Sequence, residues 1–169
     1  MCKGNGQADL IFVTGYFGAP IVETAEEIAE KEGMELFILD RAIEEKDGRP
    51  IRRICMMGGE HAYRNLEYEA VAELCAAADE GEADRHAGGL VVACGDGILY
   101  DDQTRDLILK HRLIIAGEDE SVDDLWARAC RDAETWHAFM HFGSDEERLV
   151  RFKSNHAAQK SFFLQDVLR

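Results

Sequence analysis

The residues whose types and spacing come nearest to chemical machinery run from Gly15 to Thr24, GYFGAPIVET. They stand between a short apolar run and an amphipathic stretch, where a phosphate-binding loop would stand. Such a loop reads GxxxxGK[ST]. Its glycines let backbone N–H groups close around phosphates, its Lys neutralises them, and its hydroxyl residue holds Mg²⁺. Here Gly15 and Gly18 remain, followed by Ala19. Pro20 stands where the second essential glycine belongs, Ile21 where the Lys belongs, and Val22 and Glu23 where the hydroxyl residues belong. The position of a phosphate loop is kept while its chemistry is deleted.

Other reactive side chains are sparse. His137 and His141 are spaced i, i+4, which on a helix would put both rings on one face and offer a metal two ligands. No HExxH accompanies them and no third ligand is evident, so packing is the preferred reading and no metal is expected. Cys94 ends an apolar run with no base or cation assigned beside it, which fits a buried inert thiol. The five cysteines are odd in number and contain no CxxC, which suits reduced intracellular thiols better than disulfides or zinc. Net charge is −15 and no basic cluster occurs, so nucleic acid and anionic membrane surfaces are not expected partners. No apolar run reaches the roughly 20 residues of a membrane span. With no signal-peptide pattern at the N-terminus, the expectation is a cytoplasmic protein.

The elements that must position these residues alternate. Leu10–Thr14, Glu35–Leu39, Leu90–Cys94 and Leu113–Ala116 are short apolar runs bounded by turn residues, the pattern of strands buried in a parallel sheet. Helical patterning covers Thr24–Glu32, Arg41–Glu45, Ile51–Ala78 with a break near Gly58-Gly59, Thr104–Lys110, Ser121–Asp132 and much of the chain after Asp145. Asp40 is placed to cap the second helix. Asp79–Gly89 reads as a polar loop. Strand–helix alternation predicts a three-layer α/β domain with a mostly parallel sheet, which binds ligands beyond the C-terminal strand ends. Those ends carry Gly15–Pro20, Asp40, Cys94–Gly97 and Gly117-Glu118.

Several motifs in order give the chain a family likeness. Behind GYFGAPIVE come Asp40-Arg41-Ala42-Ile43-Glu44, then Tyr63-Arg64-Asn65-Leu66-Glu67, then Gly95-Asp96-Gly97, then Arg128. This resembles shikimate kinase, a P-loop kinase family, over roughly residues 9 to 132. The resemblance implies a single kinase-like domain over 1–169, with a divergent lid at about 119–145 and a divergent, shortened helical tail at 146–169. It implies that Asp40 takes ring hydroxyls near the attacking hydroxyl, that Arg64 binds the carboxylate, and that Gly95 and Gly97 shape the floor. Arg128 falls on the adenine side. Asp96 departs from the family's glycine-only turn and is expected to repel an acid ligand or to occupy Arg64.

The departures cluster on the nucleotide side. Ile21, Val22 and Ile38 stand where the family has its Lys, hydroxyl and first DxD Asp. Thr135-Trp136-His137-Ala138 stands where the family's lid has its Arg, and the late carboxylate-clasping Arg falls near His156 or Ala157. A triphosphate carries about four negative charges, and each charge-assisted hydrogen bond is worth roughly 1.5–3 kcal/mol. Glu23 adds a like charge where the anion should dock, and Pro20 removes an N–H from the cradle. Pro20 does suit a first helical position.

The leading reading is a non-catalytic shikimate-kinase-like domain that has lost ATP–Mg and acts as a small-carboxylate binder or a protein-interaction subunit, with no cofactor. The alternative is a divergent ATP-dependent kinase for shikimate or a related hydroxy acid. It would draw a phosphate-binding cation from Arg128, Arg131 or Lys153. A third reading is an interaction module with a filled cleft, in a homo-oligomer or with another protein.

Overall fold

The computed structural model describes residues 9–79, 88–132 and 135–168. The elements follow as β1 (Leu10–Gly15), α1 (Ile21–Glu32), β2 (Glu35–Ile38), α2 (Leu39–Asp47), α3 (Ile51–Asp79), β3 (Leu90–Ala93), α4 (Asp102–Ile108), β4 (Arg112–Ala116), α5 (Val122–Ala129) and α6 (Asp145–Phe162). Short 3₁₀ turns lie at Ile98–Tyr100 and Ala138–His141, and a final helical turn at Phe163–Val167. Most of the loop expected at Asp79–Gly89 lies outside the described residues. The chain divides into two compact units, residues 1–15 with 20–116, and residues 16–19 with 117–169.

The first unit is an α/β fold built on a four-stranded parallel sheet in the order β2-β3-β1-β4. Every residue of the two inner strands is buried, while β2 and β4 at the edges are half-buried. The apolar runs have the composition that burial on both faces requires. Gly15 at the end of β1 faces Ala116, and a Cβ there would lie 2.5 Å from the Ala116 carbonyl oxygen. Only a glycine lets β1 and β4 come this close at that point.

Local chemistry sets the helix ends, and two expectations are corrected here. Pro20 is the N-cap of α1 and not its first helical residue, so the helix opens at Ile21, three residues before Thr24. No side chain caps it, and the Thr24 hydroxyl bonds back to the Pro20 carbonyl at 2.7 Å. Asp40 is not a cap either. β2 passes into α2 without a loop, Ile38 is the N-cap, and Asp40 sits inside the first turn. The break expected in α3 is present at Gly59, whose φ of 75° and ψ of 173° are outside the helical region and tolerated only by glycine.

The second unit is helical and aromatic. Ser121 caps α5, and Ser144 caps α6 with Glu147 in a reciprocal capping box. Leu125, Ala129, Met140, Phe152 and Phe163 are buried in it together with Tyr16 and Phe17. No helix among the described residues is long and apolar enough to cross a membrane.

Candidate functional site

The first unit assembles the polar residues at the C-terminal ends of β2 and β3. Ile38 pairs with Ala93 in the sheet register, so α2 and the turn after β3 leave the sheet side by side. α2 thereby presents Asp40, and the turn presents Gly95, Asp96 and Gly97. The buried Thr14 hydroxyl at the end of β1 donates to the Gly95 carbonyl at 2.7 Å and pins that turn. The second half of α3 supplies Tyr63, Arg64 and Glu67, whose exposures are 0%, 8% and 0%.

Hydrogen bonds tie these groups into one network. The Tyr63 hydroxyl donates to Asp40 Oδ1 at 2.5 Å. Arg64 Nη1 donates to Glu67 Oε2 at 2.5 Å. Arg64 Nε and Nη2 both donate to Glu60 Oε1, at 3.2 and 2.9 Å. The guanidinium lies against Gly97, and a Cβ there would strike Arg64 Nη2. At Gly95 a Cβ would lie 2.8 Å from Tyr63 Oη and 3.0 Å from Glu67 Oε1. Both glycines are therefore required by the side chains of α3 that pass over them.

Electrostatics follow from burial. Desolvation pushes the Asp40 carboxyl up to about 6; the Tyr63 hydrogen bond opposes this, the charges of Asp96 and Glu44 add to it, and Arg64 opposes it. Burial likewise pushes Glu67 up to about 7 against the pull of Arg64. Tyr63 rises well above its ordinary value through burial and the charges of Asp40 and Glu67. Arg64 stays a cation: burial works against its charge, and the contact with Glu67 more than restores it. Of the two carboxylates paired with Arg64, Glu60 is about half exposed and Glu67 is enclosed.

The residues of the Gly15–Glu23 stretch fall in different surroundings. In the first unit Pro20 and Ile21 are half-buried, and Val22 and Glu23 are exposed on the first turn of α1. In the second unit Tyr16–Ala19 is held from within. The Phe17 N–H donates to Oε1 of the buried Gln159 at 3.1 Å. The Gly18 carbonyl accepts from Arg128 Nη1 at 2.7 Å, and the Ala19 N–H donates to the Tyr16 carbonyl at 2.9 Å. Arg128 also pairs with Glu120 at 2.8 Å. The Phe17 ring packs on His137 with centroids 3.9 Å apart, and on Phe152 and Phe139.

The remaining candidates are accounted for by packing. His137 precedes the 3₁₀ turn that holds His141, so the two do not share an α-helical face. The ring of His137 is sandwiched by Trp136 and Phe17, and His141 Nε2 bonds the Thr135 carbonyl at 2.7 Å. No cluster of three metal-ligating side chains occurs among the described residues. Cys94 is buried, and desolvation raises its thiol well above the ordinary value. His156 packs on Tyr16. Away from the polar cluster, Leu10, Phe37, Ile43, Leu66, Leu74 and Leu90 help line an apolar cavity of about 460 Å³, which includes none of the network residues.

The structure brings Asp40, Arg64, Gly95 and Gly97, singled out in the sequence, to the same strand ends, with Asp96 in the turn between the two glycines. Sequence reasoning missed Glu60, although its i, i+4 spacing to Arg64 was readable. It missed the Tyr63–Asp40 bond and the Gln159–Phe17 bond, which join positions 23 and 142 residues apart.

Comparison with known proteins bears on the family and the fold. The family profile described as Shikimate kinase matches residues 23–161. The shikimate kinase of Chlorobaculum tepidum is 34% identical over 106 residues, covering 63% of this chain and 50% of that protein. That of Thermobifida fusca is 34% identical over 105 residues, covering 62% and 55%. The chain thus matches about half the length of these relatives. Among solved structures, shikimate kinase from Acinetobacter baumannii in complex with shikimate superposes with a TM-score of 0.70 at 22% identity, over 91% of this chain and 79% of that one. The enzyme from Bacteroides thetaiotaomicron gives 0.73 at 20% identity, over 93% and 82%. With a profile spanning most of the chain, the protein belongs to the shikimate kinase family.

Proposed function

We propose that this chain binds a small hydroxy-carboxylate of the shikimate class at the Asp40–Arg64 network and does not transfer phosphate to it. The observation that carries the reading is the network itself, in which a carboxylate and a guanidinium stand over a two-glycine turn. Asp40 would accept from ligand hydroxyls, and Arg64 would exchange Glu60 for the ligand carboxylate as a charge-assisted partner. Loss of ATP–Mg is supported by the residue types at Pro20, Ile21, Val22 and Glu23. It is supported further by the Phe17 N–H, a donor a phosphate would need, being engaged by Gln159 inside the second unit. Phosphoryl transfer rests almost wholly on positioning and electrostatics, and those four loop residues bring no positive charge to the phosphates.

The names of the relatives favour a second reading, an active ATP-dependent kinase for shikimate or a related hydroxy acid. Asp40 would then serve as the base toward the acceptor hydroxyl, with a carboxyl near 6 suited to that task at neutral pH. A phosphate-binding cation would have to come from Arg128, Arg131 or Lys153, and ATP with Mg²⁺ would be the cofactors. Calorimetry with shikimate and with ATP–Mg, followed by an ADP-release assay, separates the two. The first predicts heat with shikimate, lost in Asp40→Ala, and none with ATP–Mg. ADP release that depends on shikimate and on Asp40 overturns it in favour of the kinase. Silence toward every ligand overturns both and leaves a protein-interaction role.

A further inference from the structure

We propose that Tyr63 is a positioning residue for Asp40: its hydroxyl holds Oδ1 and keeps the carboxylate in the ionised form that accepts ligand hydroxyls. This rests on the ligand-binding reading above and adds a residue to it. The Tyr63 ring is fully buried, and a phenylalanine would fill the same space, so only the hydroxyl distinguishes the two. A buried hydroxyl must find a partner, and this one gives its proton to Asp40 at 2.5 Å. Asp40 is a half-buried group, and its Oδ2 has no hydrogen-bond partner among the described residues, leaving that oxygen for a ligand.

The groups around Asp40 make the hydroxyl necessary. Asp96 from the turn after β3 and Glu44 from α2 disfavour its charge, and Arg64 from α3 favours it at a distance. Glu67, also on α3, is buried beside the same hydroxyl, which lowers its proton affinity as well. Arg64 itself is engaged by Glu67 and Glu60. The Tyr63 O–H is thus the one donor that contacts the Asp40 carboxylate directly among the described residues. It favours the ionised form, since a hydrogen bond donated to a carboxylate lowers its proton affinity. It also fixes the plane of the carboxylate, so that a ligand hydroxyl meets Oδ2 in one geometry. A bound ligand must therefore be a donor at this point, a hydroxyl and not an ether or ketone oxygen.

The test compares the wild type with Tyr63→Phe. Carboxyl ¹³C spectra of aspartate-labelled protein without ligand, with Asp40 assigned through Asp40→Asn, follow its protonation from pH 4 to 9. Shikimate titrations over the same range read affinity. The Asp40 midpoint should rise by about one pH unit in Tyr63→Phe, as expected for loss of one strong hydrogen bond. Shikimate affinity should then fall about fivefold near the wild-type midpoint and recover above pH 8. An unchanged or lowered midpoint overturns the proposal, even where the variant is less thermostable, because a packing role would move stability and not the titration. Where the wild type binds no shikimate, the ligand reading fails, and the ligand-free titration still decides the coupling of Tyr63 to Asp40.

Discussion

The polar network of the first unit and the Tyr16–Ala19 segment of the second are built in opposite ways. In the network, side chains of α2 and α3 supply charge, and the glycines of the turn yield space to them. In the segment, the backbone supplies the polar atoms: Gln159 and Arg128 take up two of them, the Ala19 N–H bonds the Tyr16 carbonyl, and His137 packs on the Phe17 ring. The network keeps ionisable groups at a half-exposed carboxylate. The segment keeps a loop shape and turns its hydrogen bonds inward. The two regions therefore differ in what carries their polar atoms, side chains in the network and backbone in the segment.

The largest expected break in that contrast is Arg64→Met. It leaves Glu67 buried without its counter-charge, which costs about 3–5 kcal/mol. Because the Glu67 carboxyl already lies near 7, it can escape the penalty by taking a proton at low pH. Urea unfolding should show a much larger loss at pH 8 than at pH 5, and equal losses would contradict the assigned charge state.

Next in size is a pH effect centred on Asp40. Its folded value of about 6 lies above the unfolded 3.8, so the native state holds more protons between those values. Stability must then fall as pH rises from about 4 to 6, by roughly 2 kcal/mol. Replacing it in Asp40→Asn should flatten that slope. A slope that survives the substitution would assign the effect to other carboxyls.

Gln159→Leu tests the other region. The buried Phe17 N–H loses its acceptor at a cost of about 1–3 kcal/mol, while shikimate binding at the network should not change. A parallel loss of shikimate affinity would break the separation drawn between the regions.

The smallest effect is expected for Glu60→Gln. The pair with Arg64 is half exposed on the Glu60 side and worth about 0–1 kcal/mol, so stability should hardly move. Shikimate affinity should rise up to about fivefold, because a competing carboxylate has gone. A fall in affinity would make Glu60 an orienter of Arg64 instead of its placeholder.

Much of the first unit was legible in the sequence. LIFVT, LVVAC and LIIA announce buried strands because a strand covered on both faces admits few polar residues. Gly58-Gly59 announced the break in α3 because no other residue adopts the backbone found there. Asp40 was misread as a cap because helix caps are sought in loops, and β2 enters α2 without one. Pro20 was placed one position too far inside α1, an error within the ordinary uncertainty of helix ends.

By itself the sequence determined which residue types are available: a loop without Lys or hydroxyl, a carboxylate after the second strand, and an Arg three residues before a Glu on a helix. These follow from local composition and from spacing along one element. Only the tertiary structure decided which of them meet. That the Tyr63 hydroxyl meets Asp40 and that Gln159 takes the Phe17 N–H are choices among competing partners. They depend on which buried donors and acceptors the packed helices bring within about 3 Å, where hydrogen bonding becomes effective, and no periodicity along the chain encodes that distance.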